Sequence, residues 1–151
     1  MKEVYKNLYV GNDRDCEEFE GAIVHACQSC FFKYVEDKNR DNTFFEEDDN
    51  LYLNLLDISS LSFDYATPMI KKSFNFIDEK LKENKKVLVH CNFGVSRSAS
   101  IAMLYMARKG YIDNTSFKDA TKDFHNIYTY YSPSMGMYNY FDLHWYEIMM
   151  F

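Results

Sequence analysis

The sequence predicts an α/β fold, with a central, mostly parallel (mixed) sheet flanked by helices, in one domain spanning residues 1–151. Three observations carry that reading. Short apolar, β-branched runs alternate with longer helix-forming stretches. One such run, Val87-Leu88-Val89, passes through a compact turn directly into the helix-forming segment Ala99–Ala107. No repeat or linker interrupts the chain between its ends.

The elements follow in order. Ala22-Ile23-Val24-His25-Ala26 has the pattern of a buried strand. Residues 36–50 form the one polar stretch and include Glu46-Glu47-Asp48-Asp49, which reads as a solvated loop between two core strands. Its functional alternative is an acidic rim that selects basic sequences. Leu51–Leu56 is the next strand-like run. Met69–Leu81 reads as a helix starting after Pro68, because proline suits a first turn. After Val87–Val89, a helix over Ser98–Lys109 is stopped by Gly110. Asn114-Thr115-Ser116 caps another helix through Phe117, Ala120, Phe124 and Ile127. Tyr138–Phe151 forms a last helix, whose aromatic stripe is core packing.

Composition narrows the partners. Net charge is −6, with 23 acidic against 17 basic residues, which argues against nucleic acid. No apolar run is long enough to span a bilayer and no basic-then-apolar leader begins the chain, so no membrane partner is expected. The four cysteines Cys16, Cys27, Cys30 and Cys91 do not resemble a disulfide framework, which points to a reducing cytoplasm. The chain is expected to be a monomer without cofactor or metal. Cys27-Gln28-Ser29-Cys30 lacks a second ligand pair, with only His25 near it in sequence, and Cys27 reads as a buried core residue. A second reading places Cys27 or Cys30 behind the turn at Cys91, able to trap that thiol as a reversible disulfide.

The turn itself, His90-Cys91-Asn92-Phe93-Gly94-Val95-Ser96-Arg97-Ser98, carries the chemistry. A strand-to-helix turn converges backbone N–H groups on one point and favours negative charge there. Asn92, Phe93, Gly94, Val95, Ser96 and Arg97 can therefore cradle a phosphate-sized dianion. The same amides and cations favour the thiolate of Cys91. Arg97 adds a planar fork that binds two oxygens at once. Gly94 lets the loop bend inward. Ser98 can donate its hydroxyl to the Cys91 sulfur, and His90 orients the loop rather than acting as a base.

This stretch resembles the active-site signature of cysteine-dependent protein phosphatases: His-Cys, five residues, then Arg. Its Ser-Arg-Ser ending is most similar to the dual-specificity branch. Val4–Asn12 resembles the opening hairpin of that family, and Phe74–Leu81 the helix before its nucleophile strand. Ser132-Pro133-Ser134-Met135-Gly136-Met137 stands where the family has a Pro-Asn-x-Gly-Phe turn, with Ser134 for Asn and Met137 for Phe. The resemblance implies a mixed sheet of four or five strands and a phosphatase acting on phosphotyrosine and on phosphoserine or phosphothreonine in proteins. It also implies a general acid on a loop about thirty residues before the nucleophile. Asp57, directly after the Leu51–Leu56 run, is the candidate, and Asp64 on the same loop is its competitor. No recognition loop for deep phosphotyrosine binding is inserted, which implies a shallow pocket bordered by Asn12-Asp13-Arg14 and Tyr128–Tyr131. Two other functions stay open: a related phosphatase acting on phosphoinositide or RNA 5′-phosphate, and a catalytically dead phosphate-binding module.

Overall fold

A computed structural model describes residues 1–151. Six strands form one sheet: β1 (Lys2–Tyr5), β2 (Leu8–Gly11), β3 (Ala22–His25), β4 (Phe44–Glu47), β5 (Asn50–Leu53) and β6 (Val87–His90). Their spatial order is β1-β2-β6-β3-β5-β4. The pairs β2·β6, β6·β3 and β3·β5 are parallel. Antiparallel β1 and β4 close the two edges. The mixed, mostly parallel sheet is the one expected, with one strand more.

The extra strand lies inside the polar stretch. Phe44–Glu47 is an edge strand, and Asp48-Asp49 turns it into β5, with Asp48 in the left-handed region at φ 56°. Two acidic side chains of this hairpin are neutralised in place. Glu46 pairs with Lys72, and Asp49 with Lys80 and Lys85 at 3.0 and 2.8 Å. The Asp49 carboxyl is thereby held below its usual range, first by Lys85 and then by Lys80. Because this turn precedes β5, it sits at the amino ends of the parallel strands, where Ile23 N–H donates to Asp49 O at 2.8 Å. Cys91 lies at the opposite ends. An acidic rim at the Cys91 turn is therefore ruled out for Asp48-Asp49, and the solvated-loop reading gives way to a hairpin.

Six α-helices accompany the sheet: α1 (Asp15–Glu18), α2 (Gln28–Tyr34), α3 (Phe63–Lys82), α4 (Arg97–Arg108), α5 (Phe117–Ile127) and α6 (Met135–Met149). All four residues of both β3 and β6 are buried, as befits central parallel strands covered on both faces. Every residue of α4 from Arg97 to Ala107 is buried too, so its apolar character on several faces is that of a central helix. A Schellman turn ends it: Gly110, at φ 74°, donates to Ala107 O and Tyr111 to Met106 O. Ser116 caps α5 as expected, accepting from Asp119 N–H at 3.1 Å.

Two helix starts differ from the sequence reading. α3 begins at Phe63, capped by Ser62, and Pro68 lies inside it. Proline removes the ladder bond to the carbonyl four residues earlier, that of Asp64. Both Pro68 and Asp64 are exposed, so water can serve that carbonyl and the helix continues. α6 begins at Met135 rather than Tyr138, because Ser134 caps it by accepting from Met137 N–H at 3.4 Å. The strand before Asp57 is also shorter than expected, ending at Leu53.

Candidate active site

Parallel strands β2, β6 and β3 end side by side, with Gly11, His90 and His25 in register. That is where an α/β sheet presents loops to a ligand. The turn from Cys91 to Ser96 links the end of β6 to α4, whose first residue is Arg97. Gly94 adopts φ 75°, and a Cβ there would come within 2.8 Å of Gly11 O. Glycine is thus required both for the turn and for the close approach of the β2–α1 loop. That loop is tied on by Cys91 N–H to Gly11 O and Asp13 N–H to Asn92 O, each 3.4 Å.

Within the turn, the Cys91 sulfur lies 3.2 Å from the Ser98 hydroxyl, which is 3.4 Å from Gly11 O. Cys91 is 2 % exposed and Arg97 7 %, so both work in a largely dry environment. Arg97 is held in place before any ligand arrives. Its Nη1 donates to Leu55 O at 3.0 Å and its Nη2 to Asn92 Oδ1 at 2.7 Å. Two of its five N–H donors are thus engaged, and its buried Nε has no protein partner. Asn92 in turn donates from Nδ2 to Ser29 Oγ at 3.2 Å, so α2 helps to place the arginine.

Of the two candidate acids, Asp57 is brought to the turn. Its Oδ1 accepts from the Ser96 hydroxyl at 3.1 Å. Asp64 lies in the first turn of α3, exposed, without a hydrogen bond or ion pair. The Asp57 loop is pressed against α6, since a Cβ on Gly136 would come within 2.1 Å of Ile58 O.

His90 is 0 % exposed and sits beneath the turn. Its Nε2 lies 2.7 Å from His25 Nδ1, and His25 Nε2 lies 2.9 Å from Asn50 Oδ1. Burial first, and then the neighbouring His25, push the His90 imidazole down to about 4, while burial lowers His25. Both rings are therefore neutral at pH 7, consistent with orienting rather than proton-transfer work.

Several supports were not legible in the motif. Tyr128 donates to Gly94 O at 2.6 Å, Ser132 N–H to Val95 O at 2.8 Å, and Ser134 N–H to Ser96 Oγ at 2.9 Å. All three belong to the α5–α6 connection, and the only hint in the sequence was that segment's tyrosine and serine content. Burial raises the Tyr128 phenol to about 12, so it stays a donor at neutral pH. A groove of about 380 Å³ borders the turn, lined in part by Asn12, Phe93, Val95, Tyr128 and Tyr130. Phe93 is 81 % exposed and Tyr130 70 %, which gives that groove an aromatic rim. Asn12, Tyr128 and Tyr130 thus border it as expected, whereas Asp13, Arg14, Thr129 and Tyr131 do not.

Residues 18–138 match the family model described as dual specificity phosphatase, catalytic domain. Among curated relatives, human dual specificity protein phosphatase 9 is 29% identical over 122 residues, covering 80% of this chain and 30% of that protein. Zebrafish dual specificity protein phosphatase 22-A is 31% identical over 110 residues, covering 70% of this chain and 48% of that protein. The chain thus spans half or less of the length of these two relatives. In three dimensions it resembles the crystal structure of DUSP15, with a TM-score of 0.73 and 16% identity over 99% of this chain and 92% of that one.

Proposed function

The chain belongs to the dual specificity phosphatase family, and on that premise we propose that it hydrolyses phosphotyrosine, and phosphoserine or phosphothreonine, in proteins through a cysteinyl-phosphate. The observation that carries this reading is the convergence of the Cys91 sulfur, the Ser98 hydroxyl, the Arg97 guanidinium and the Asp57 carboxyl on one turn. Residues 1–151 then act as a single catalytic domain.

The Cys91 thiolate attacks phosphorus, a sulfur–phosphorus bond forms, and the bond to the substrate oxygen breaks. Amides of residues 92–97 and the unengaged N–H groups of Arg97 hold the charge on the phosphoryl oxygens, in a site that is already organised. Asp57, as its acid, gives a proton to the leaving oxygen. In the second step Asp57 takes a proton from water as the water attacks phosphorus. The Cys91 thiolate leaves, stabilised by a hydrogen bond from Ser98.

The substrate is a phosphoprotein, to which the groove offers the aromatic rim of Phe93 and Tyr130. Asn92, Phe93 and Val95 carry no charge, which disfavours multiply phosphorylated lipids or RNA ends as substrates. A free thiol at Cys91 suits a reducing, cytoplasmic setting, and no helix is long and apolar enough to cross a membrane. The chain works as a monomer without cofactor.

The test pairs two variants. Cys91→Ser should abolish turnover while retaining vanadate binding. Asp57→Asn should slow phosphoserine peptides by roughly a hundredfold or more, yet cost far less on aryl phosphates whose leaving group needs no proton. Turnover by Cys91→Ser within tenfold of wild type would overturn the covalent route. The leaving-group pattern appearing in Asp64→Asn instead would overturn the acid assignment. A panel of phosphopeptides, phosphoinositides and 5′-triphosphate RNA ranks the substrate classes.

A further inference from the structure

The tertiary structure gathers at His90 the ligands that sequence spacing leaves apart. Cys27 immediately precedes α2 and Cys30 lies in its first turn, so the two thiols face the same region. The sulfurs of Cys27 and Cys30 and a ring nitrogen of His90 all lie within 4.8 Å of one another. All three residues are buried, at 0, 9 and 0 % exposure. A second triad, Cys16, His25 and His90, meets the same 4.8 Å limit and shares His90 with the first. Four potential donors, Cys16, His25, Cys27 and Cys30, thus lie around one buried histidine.

We propose that Cys27, Cys30 and His90 form a three-ligand binding site for a thiophilic divalent cation such as Zn²⁺. Two thiolates and an imidazole are a donor set that selects zinc-like ions over hard cations. Tetrahedral zinc, with bonds of about 2.3 Å to sulfur and 2.0 to 2.1 Å to nitrogen, spaces its ligand atoms roughly 3.5 to 3.8 Å apart. The cluster therefore needs a contraction of side chains, not a rearrangement of the backbone.

A second observation points the same way. His90 Nε2 is engaged by His25, but its buried Nδ1 makes no hydrogen bond. Buried ring nitrogens seldom stay unpartnered, and a metal ion is one way to satisfy such an atom. The chain of contacts through His25 to Asn50 supplies the outer hydrogen bonds that fix the tautomer and orientation of a ligating ring. Binding would displace the thiol protons of Cys27 and Cys30.

The site abuts the phosphate turn without using its chemistry. His90 directly precedes Cys91, and Ser29, between the two thiols, accepts from Asn92. A bound cation would therefore stiffen the underside of the turn.

The experiment uses reduced, chelator-stripped full chain carrying Cys91→Ser, so that the nucleophile cannot bind the metal itself. Zn²⁺ is titrated against a chromophoric chelator, Co²⁺ is followed by its thiolate charge-transfer absorption, and melting is followed with and without Zn²⁺. The expected result is one tightly held equivalent, a thiolate band with Co²⁺ and a higher Tm with Zn²⁺. Cys30→Ala in the same background should weaken Zn²⁺ binding at least tenfold and diminish the band, with Cys27→Ser doing the same. Cys30 is the least buried of the three ligands at 9 % exposure, so its variant keeps the test decisive even where Cys27→Ser fails to fold. No binding in the Cys91→Ser chain, or undiminished binding and band in Cys30→Ala, overturns the proposal.

Discussion

Ser96 donates its hydroxyl to Asp57 Oδ1 at 3.1 Å, joining two loops 39 residues apart in sequence. The Ser96 hydroxyl oxygen itself accepts from Ser134 N–H at 2.9 Å, at the cap of α6. One buried hydroxyl thus connects the phosphate turn, the candidate acid and the last helix. Since an N–H donates into the serine oxygen, the serine proton is left for the carboxylate. The position of Asp57 is set by this bond and by the packing of its loop on Gly136, not by the strand that precedes it.

Ser96→Ala should therefore act through Asp57. A single hydrogen bond is worth about 0.5–1.5 kcal/mol, so the rate on phosphoserine peptides should fall by up to roughly tenfold. Aryl phosphates with good leaving groups should be nearly unaffected. Equal losses on both substrate types would mean that Ser96 serves the turn as a whole and not the acid.

Arg97→Lys should lose nearly as much activity as Arg97→Ala, because a point charge cannot replace a planar fork. Asn92→Ala removes the acceptor of Arg97 Nη2 and the link to Ser29, and should raise KM for an aryl phosphate and weaken vanadate binding. Wild-type activity in Arg97→Lys, or unchanged vanadate affinity in Asn92→Ala, would contradict the preorganised clamp.

Gly136→Ala places a methyl group where Ile58 O stands, 2.1 Å from the new Cβ. The Asp57 loop must move away from α6. Overpacking of this kind costs about 1–3 kcal/mol, and Tm should fall accordingly. Activity on substrates that need a proton should fall more than activity on those that do not. A variant matching wild type in both respects would show that the loop is free to shift without consequence.

The buried His25–His90 pair makes stability fall with acid. His90 titrates near 4 in the fold, His25 is also lowered, and an unfolded histidine titrates near 6.5. Between about pH 6.5 and 4 the unfolded chain binds protons that the folded chain refuses, so stability is full above that window and is lost as pH falls through it. Each ring contributes at most about 1.4 kcal/mol per pH unit. Asp78, held at about 2 chiefly by Lys82, adds a further loss only below the ordinary carboxylate range. Denaturant unfolding measured from pH 7 to 4 should show this slope, and His25→Gln should reduce it. A slope equal in both proteins would place the acid sensitivity elsewhere.

Sequence alone was enough for the α/β class, the strand-turn-helix around Cys91, the caps at Ser116 and Gly110, and the choice of Cys91, Arg97 and Ser98 as candidates. These features are local. Apolar runs, capping serines and a glycine with positive φ act over a few residues, and the turn is nine consecutive ones. What needed the tertiary structure is whatever depends on contacts between distant segments. Pro68 interrupts a helix by local rules, yet is accepted because Asp64 and Pro68 share an exposed face. Phe44–Glu47 looks polar, but an edge strand needs only one partner and one half-buried face, which β5 provides. The sequence favours Asp57 over Asp64 for its place after a strand that in fact ends at Leu53, whereas the fold distinguishes it by joining only Asp57 to Ser96. Tyr128, Ser132 and Ser134 acquire their contacts when the α5–α6 connection closes on the turn. The triads Cys16–His25–His90 and Cys27–Cys30–His90 meet at one histidine only because parallel pairing sets the ends of β3 and β6 side by side. Residue types are written in the chain, but distances between far-separated side chains come from strand register and helix packing, which no short window of sequence contains.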